Sequence, residues 1–218
     1  MFREFFAHWR KKDLLHQALE ETYIMMAQAG QMFEFARGVL FEQQKEGVDI
    51  YRQDQIMNKY EIDIRRKVLE HLSVNPQEDL AASLVLTSVV IDLERIGDFA
   101  KNIVELATMY PEKLEGIKYL PRLVEMADKV QEFFTLTEES LKEADVAKGK
   151  LVMEEHAKIA CACDSMLREL VQDEGISARK AIVCALLTRY LKRISAHLKN
   201  IVSSVVNPFQ RIGFRPER

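Results

Sequence analysis

Two segments of this chain, 98 residues apart, carry one pattern. Residues 89–103 read VVIDLERIGDFAKNI, and residues 189–201 read RYLKRISAHLKNI. Arg95-Ile96 and Lys101-Asn102-Ile103 return as Arg193-Ile194 and Lys199-Asn200-Ile201. A chain built by duplication must fold twice into one unit, so any architecture proposed for one half has to serve the other. The copies differ in their acids. The first carries Asp92, Glu94 and Asp98; the second has Tyr190, Lys192 and Ala196 in those places.

The unit is helical. Eight glycines and five prolines in 218 residues are too few for the turns of a β-rich fold, and strand alternation is absent. Apolar residues recur at helical spacing instead. The pattern predicts a first helix over residues 13–46 with Gly47 as its stop, and a second over 49–72 capped by Asp49. Asn75-Pro76-Gln77-Glu78 reads as a capping box with proline at the first helical position, starting a third helix that runs to Met109. The prolines at 111 and 121 bracket a break. Further helices follow over 121–144, 147–171 and 177–206, the last ended by Asn207-Pro208. Helices of about 25 to 33 residues are about 37 to 50 Å long. Such lengths suit an all-α, elongated six-helix antiparallel bundle made of two tandem three-helix repeats, residues 1–110 and 117–207.

Charge is distributed unevenly. The net charge is −3, yet residues 177–218 carry nine Lys/Arg against Glu217 alone. Two readings stand: the last helix balances acidic neighbours, or it meets an anionic partner or membrane surface. No nucleic-acid-reading module accompanies the charge, so nucleic acid is not an expected partner. Phe2, Phe5, Phe6 and Trp9 share a helical side ahead of Arg10-Lys11-Lys12 and could cap the bundle or lie at a membrane interface. No apolar run of membrane-spanning length and no secretory leader is visible. Cys161, Cys163 and Cys184 lack zinc-finger spacing and read as buried free thiols of a cytoplasmic protein.

Catalytic signatures are missing: there is no nucleophile elbow, phosphate-binding glycine loop or zincin pair. The chain reads as a non-enzyme. Its chemistry is concentrated in carboxylates. Glu94 and Asp98, four residues apart, lie about 40° from each other on one helical stripe, shared with Leu84 and Ile91. Glu61 falls inside the apolar stripe of the second helix, made by Met57, Tyr60, Ile64 and Val68, and Asp63 lies on its flank. Carboxylates on an apolar face need a proton, a cation or a metal. An all-oxygen set suits Mg²⁺, Mn²⁺, Fe or Zn²⁺; alternatively Arg65, Arg95 or Lys101 pairs with them. Gly97 stands where a di-iron bundle would need histidine, and it reads as a point of close helix contact. His156, Cys161 and Cys163 read as ordinary packing residues, as does His197 at the place of Phe99.

The string Asp92-Leu-Glu-Arg-Ile-Gly-Asp98 with Phe-Ala-Lys-Asn-Ile103 resembles the signature of the PhoU family of phosphate-transport regulators. The upstream YEIDIRR at residues 60–66 and the paired repeats extend the resemblance over nearly the whole chain. It implies metal ligation by Glu94 and Asp98 with Glu61 or Asp63, supported by Asp54 and Asp92. The degenerate second copy lacks the ligands for a full second metal cluster. It also implies a regulatory adaptor of phosphate uptake and phosphate-starvation signalling. The implied partners are an ABC-type phosphate transporter or a permease, a sensor histidine kinase and a second copy in a homodimer, at the cytoplasmic face of the membrane. The residues alone leave two other readings open: a metal-binding or metal-sensing bundle, and a structural oligomerisation scaffold.

Overall fold

The computed structural model describes residues 14–45, 47–74 and 79–214. Six long helices account for most of them: α1 Leu14–Glu42, α2 Ile50–Val74, α3 Leu80–Met109, α4 Leu120–Glu143, α5 Val146–Gln172 and α6 Ala178–Val206. A short 3₁₀ turn, Phe209–Arg211, follows, and no strand occurs among the described residues. At 1.5 Å per residue, helices of 24 to 30 residues are about 36 to 45 Å long.

The helix ends show local chemistry at work. Asp49 caps α2, its side chain accepting from Arg52 N–H at 3.1 Å. Asp145 caps α5 by accepting from the backbone of Ala147 and Lys148, which holds its carboxyl below the usual range, the Lys148 amide being the largest cause. Ser177 caps α6. Two ends differ from the sequence reading. The first helix stops at Glu42 because Gln43 takes a left-handed conformation (φ 58°) and Gln44 N–H bonds back to the Gly38 carbonyl; Gly47 comes four residues too late to be the stop. Asp79 is also left-handed (φ 55°), so α3 starts at Leu80. The capping box at residues 75–78 and the aromatic-basic segment at 1–12 lie outside the described residues.

Within each half the three helices pack mutually, and the halves meet through α1 with α4 and α3 with α6. The result is a layer of four helices in the order α2, α3, α6, α5, backed by α1 and α4. Contacting pairs fix the directions. Asp92 meets His197 while Phe99 meets Tyr190, so α3 and α6 run antiparallel. Phe33 of α1 stacks on Phe134 of α4 (centroids 5.4 Å apart), and Arg37 bonds Asp128 farther along. An approximate two-fold axis therefore passes between α3 and α6, perpendicular to the layer.

The duplicated core is nearly superimposable in sequence. Val85, Leu93, Ile96 and Ile103 are buried in α3, and Val183, Leu191, Ile194 and Ile201 are buried at the positions 98 residues later in α6. Burial of such side chains is worth about 1.5–3 kcal/mol each, so both copies are held to one apolar pattern. One expectation is corrected here. Leu84 and Ile91, on the stripe of Glu94, are 37% and 40% exposed, so that stripe forms the outer surface of the layer.

Candidate functional site

The groove between α2 and α3 gathers four carboxylates. Met57 of α2 packs beside Gly97 of α3, which sets the register and brings Asp54 and Glu61 alongside Asp98 and Glu94. A Cβ on Gly97 would meet Met57 Cγ at 3.5 Å, ordinary van der Waals contact; close approach does not demand glycine here.

Each carboxylate has a protein cation. Arg65 pairs with Glu61 at 2.9 Å one helical turn along. Arg95 lies 3.4 Å from Glu94 and 3.1 Å from Asp98. Lys101 bridges the helices, donating to Asp54 at 2.8 Å and to Asp98 at 3.1 Å. The ammonium keeps its proton strongly: partial burial opposes the charge, but the bonds to Asp54 and Asp98 prevail and raise its pKa. Glu94 is the least compensated member. Its proton affinity is raised by burial first, then by Asp98, against the lowering by Arg95, with Glu61 and Asp54 adding to the rise.

Asp63 is not in this groove. It faces the other flank of α2 and pairs with Arg66 at 2.8 Å, on the side where Lys67 reaches Glu21 of α1. Asp92 leaves it too, pointing across the seam to α6. There it accepts from His197 Nδ1 at 2.6 Å and from Asn200 at 3.2 Å. Arg193 lies 3.5 Å from His197 Nε2; an arginine can only donate, so the imidazole proton sits on Nδ1, facing Asp92. Phe99, Tyr190 and His197 form a ring stack beside this bond, and Arg193 lies over the Phe99 ring. His197 is thus a hydrogen-bonded seam residue rather than plain packing. The repeat alone carried no signal of this bond: residue 92 comes near residue 197 only because α3 and α6 cross antiparallel at their shared motif.

The donor set is chemically that of a hard-cation site, but its centre is filled by Lys101 and Arg95. Among the described residues, no three His, Cys, Asp or Glu side chains are grouped to hold one ion. The carboxylates as folded fit protein cations; a metal ion requires those two side chains to move away.

The equivalent groove between α5 and α6 has lost the two acids of the α3 motif. Lys192, at the place of Glu94, donates to Asp164 of α5 at 2.6 Å. His156 is held by Ser195 at 3.0 Å; burial, then Lys199 and Lys192, push its pKa down to about 4. Cys163 is buried, and its thiol is pushed up to about 11 chiefly by burial. Cys161, expected to be buried, is exposed.

Known proteins share the repeats and the fold of this chain. The model of the PhoU domain family matches twice, at residues 22–107 and 123–205. Two relatives bear the name phosphate-specific transport system accessory protein PhoU homolog. The Synechocystis protein is 27% identical over 133 residues, 59% of this chain and 58% of that protein. The Aquifex aeolicus protein is 26% identical over 150 residues, 66% of this chain and 67% of that one. The crystal structure of PhoU from Pseudomonas aeruginosa superposes with a TM-score of 0.79 at 21% identity, covering 88% of this chain and 95% of that one. The phosphate transport system regulatory protein PhoU from Streptococcus pneumoniae gives 0.78 at 17% identity, covering 88% and 93%. With both repeats matched and the fold shared, the chain belongs to the PhoU family.

Proposed function

We propose that this chain is an accessory regulator of inorganic phosphate transport and of phosphate-starvation signalling. It acts by binding rather than catalysis, as a homodimer at the cytoplasmic face of a membrane phosphate transporter, ABC type or permease, and on a sensor histidine kinase. The family match across both repeats carries this reading, and the names of the two relatives support it. No described helix is long and apolar enough to cross a membrane; in this reading the chain reaches a transporter by docking. The test is affinity capture of the tagged chain from detergent-solubilised membranes of its own host, with a deletion strain in parallel. Transporter subunits co-purify, and the phosphate response becomes insensitive to external phosphate in the deletion strain. Absence of transporter together with an unchanged response would defeat the reading.

A second reading concerns metal. Glu61, Glu94 and Asp98, with Asp54, take a hard divalent or ferric cation (Fe, Zn, Mg or Mn) when Arg95 and Lys101 swing away. The gathering of four carboxylates supports it: Glu94 has its proton affinity raised by burial first, then by Asp98 against Arg95, with Glu61 and Asp54 adding to the rise. Asp63 takes no part. Elemental analysis of purified protein beside a Glu94→Ala, Asp98→Ala variant decides: equal metal content removes the site.

A further inference from the structure

The outer face of the four-helix layer is divided by sign. Because α3 and α6 cross antiparallel at their shared motif, Glu94–Asp98 and Lys192–Ala196 stand at one level on either side of the seam. On the α2–α3 side, Asp54, Glu61, Glu94 and Asp98 outnumber Arg65, Arg95 and Lys101. On the α5–α6 side, Arg168, Arg189 and Lys192 surround the lone Asp164 and hold its carboxyl low, the Lys192 bond being the largest cause; Arg193 adds a fourth cation at the seam.

The same face also carries exposed apolar side chains. Ile62 and Leu69 of α2 are 63% and 67% exposed, and Ile182 of α6 is 58% exposed. Ile62 and Leu69, two turns apart on α2, form a small apolar patch beside the acidic groove.

We propose that this face pairs with the same face of a second copy, with α2–α3 of each chain lying on α5–α6 of the other. Symmetry selects this arrangement. A two-fold axis parallel to the helices keeps each level in place and exchanges the two sides, so the acidic groove of one copy meets the basic groove of its partner, twice. A two-fold axis lying across the helices would set acid on acid. An isologous contact of this kind closes at two copies and forms no filament. The proposal rests on the homodimer in the reading above and assigns its surface.

Sedimentation equilibrium at low and high salt tests it, using three forms of the full chain. Variant A carries Arg189→Glu and Arg193→Glu; variant B carries Glu61→Lys and Glu94→Lys. Circular dichroism melting checks that each folds. The wild type is a dimer whose dissociation constant rises at least tenfold between 50 and 500 mM salt, about the scale expected for a contact with several screened ion pairs. A and B alone are monomers, because each pairs like with like, and an equimolar mixture restores a dimer. Should B fail to fold, Ile62→Asp with Leu69→Asp replaces it, and that form is a monomer. A dimeric A overturns the surface while leaving the homodimer standing. A wild type that is monomeric throughout overturns both, and two folded monomers A and B that do not combine overturn the pairing of opposite grooves.

Discussion

Glu94 and Lys192 occupy the same turn of two helices that share a buried pattern, and their surroundings differ in sign. Leu93 and Leu191, one residue earlier in each helix, are both fully buried. Moving a core residue costs about 2–5 kcal/mol, whereas changing a surface charge usually costs under 1. The duplicated fold has therefore kept its inward residues while its outward ones diverged. A repeat can lose its acids, gain lysine and histidine, and still bury the same apolar positions. What the two halves no longer share is what they can bind.

Substitutions separate what the two halves share from what they do not. The largest effect is expected where the halves depend on each other. Phe33, fully buried and stacked on Phe134, joins α1 to α4. Phe33→Ala should cost about 3–5 kcal/mol in urea unfolding and destabilise both repeats together; loss confined to one repeat's probes would show that the halves fold independently.

Close packing comes next. A Cβ at Gly149 of α5 would lie 2.8 Å from Val206 Cγ2 and 3.1 Å from Ser140 Oγ. Gly149→Ala should therefore destabilise by about 1–3 kcal/mol, the scale of overpacking. Gly97 in the first repeat has room, so Gly97→Ala should stabilise by up to about 1 kcal/mol through helix propensity. Melting curves check both. Equal signs would contradict the packing difference between the halves.

The remaining effects are those of pH, and they run in opposite directions in the two repeats. His156 has its folded pKa depressed from 6.5 to about 4, so the folded state binds fewer protons than the unfolded chain in that window. Its contribution is present above pH 6.5 and is lost as pH falls towards 4. His156→Asn should flatten the decline in Tm between pH 7 and pH 5. Glu94 has a raised pKa; its contribution is present below the unfolded value of 4.5 and is lost as pH rises through the folded one. Glu94→Gln should raise stability at pH 7, by less than about 1 kcal/mol given solvent screening, and have no such benefit at pH 4. A Tm that falls at pH 7 would show that Arg95 outweighs the acidic neighbours.

Much of the molecule was legible from residue pattern. Six helices follow from apolar spacing, and the caps at Asp49 and Ser177 mark two of their starts, because capping is chemistry between near neighbours. The recurrence of residues 95–103 at 193–201 was enough for the duplication. Helix ends set by unusual backbone were not legible: nothing in the letters of Gln43 or Asp79 announces a left-handed conformation.

Charge partners divide along the same line. Arg95 with Asp98, or Arg65 with Glu61, can be read as pairs one turn apart on a helix. Only the tertiary structure decided that Lys101 bridges to Asp54, that Asp92 turns away to His197, and that Asp63 faces another flank. Such pairings depend on the register in which two helices meet, and register is set by packed side chains such as Met57 beside Gly97, many residues apart in sequence. The sequence by itself determined the repeated helical unit and the loss of acids in its second copy. The packing of α3 against α6 determined that the surviving acids and their basic replacements stand side by side on one face.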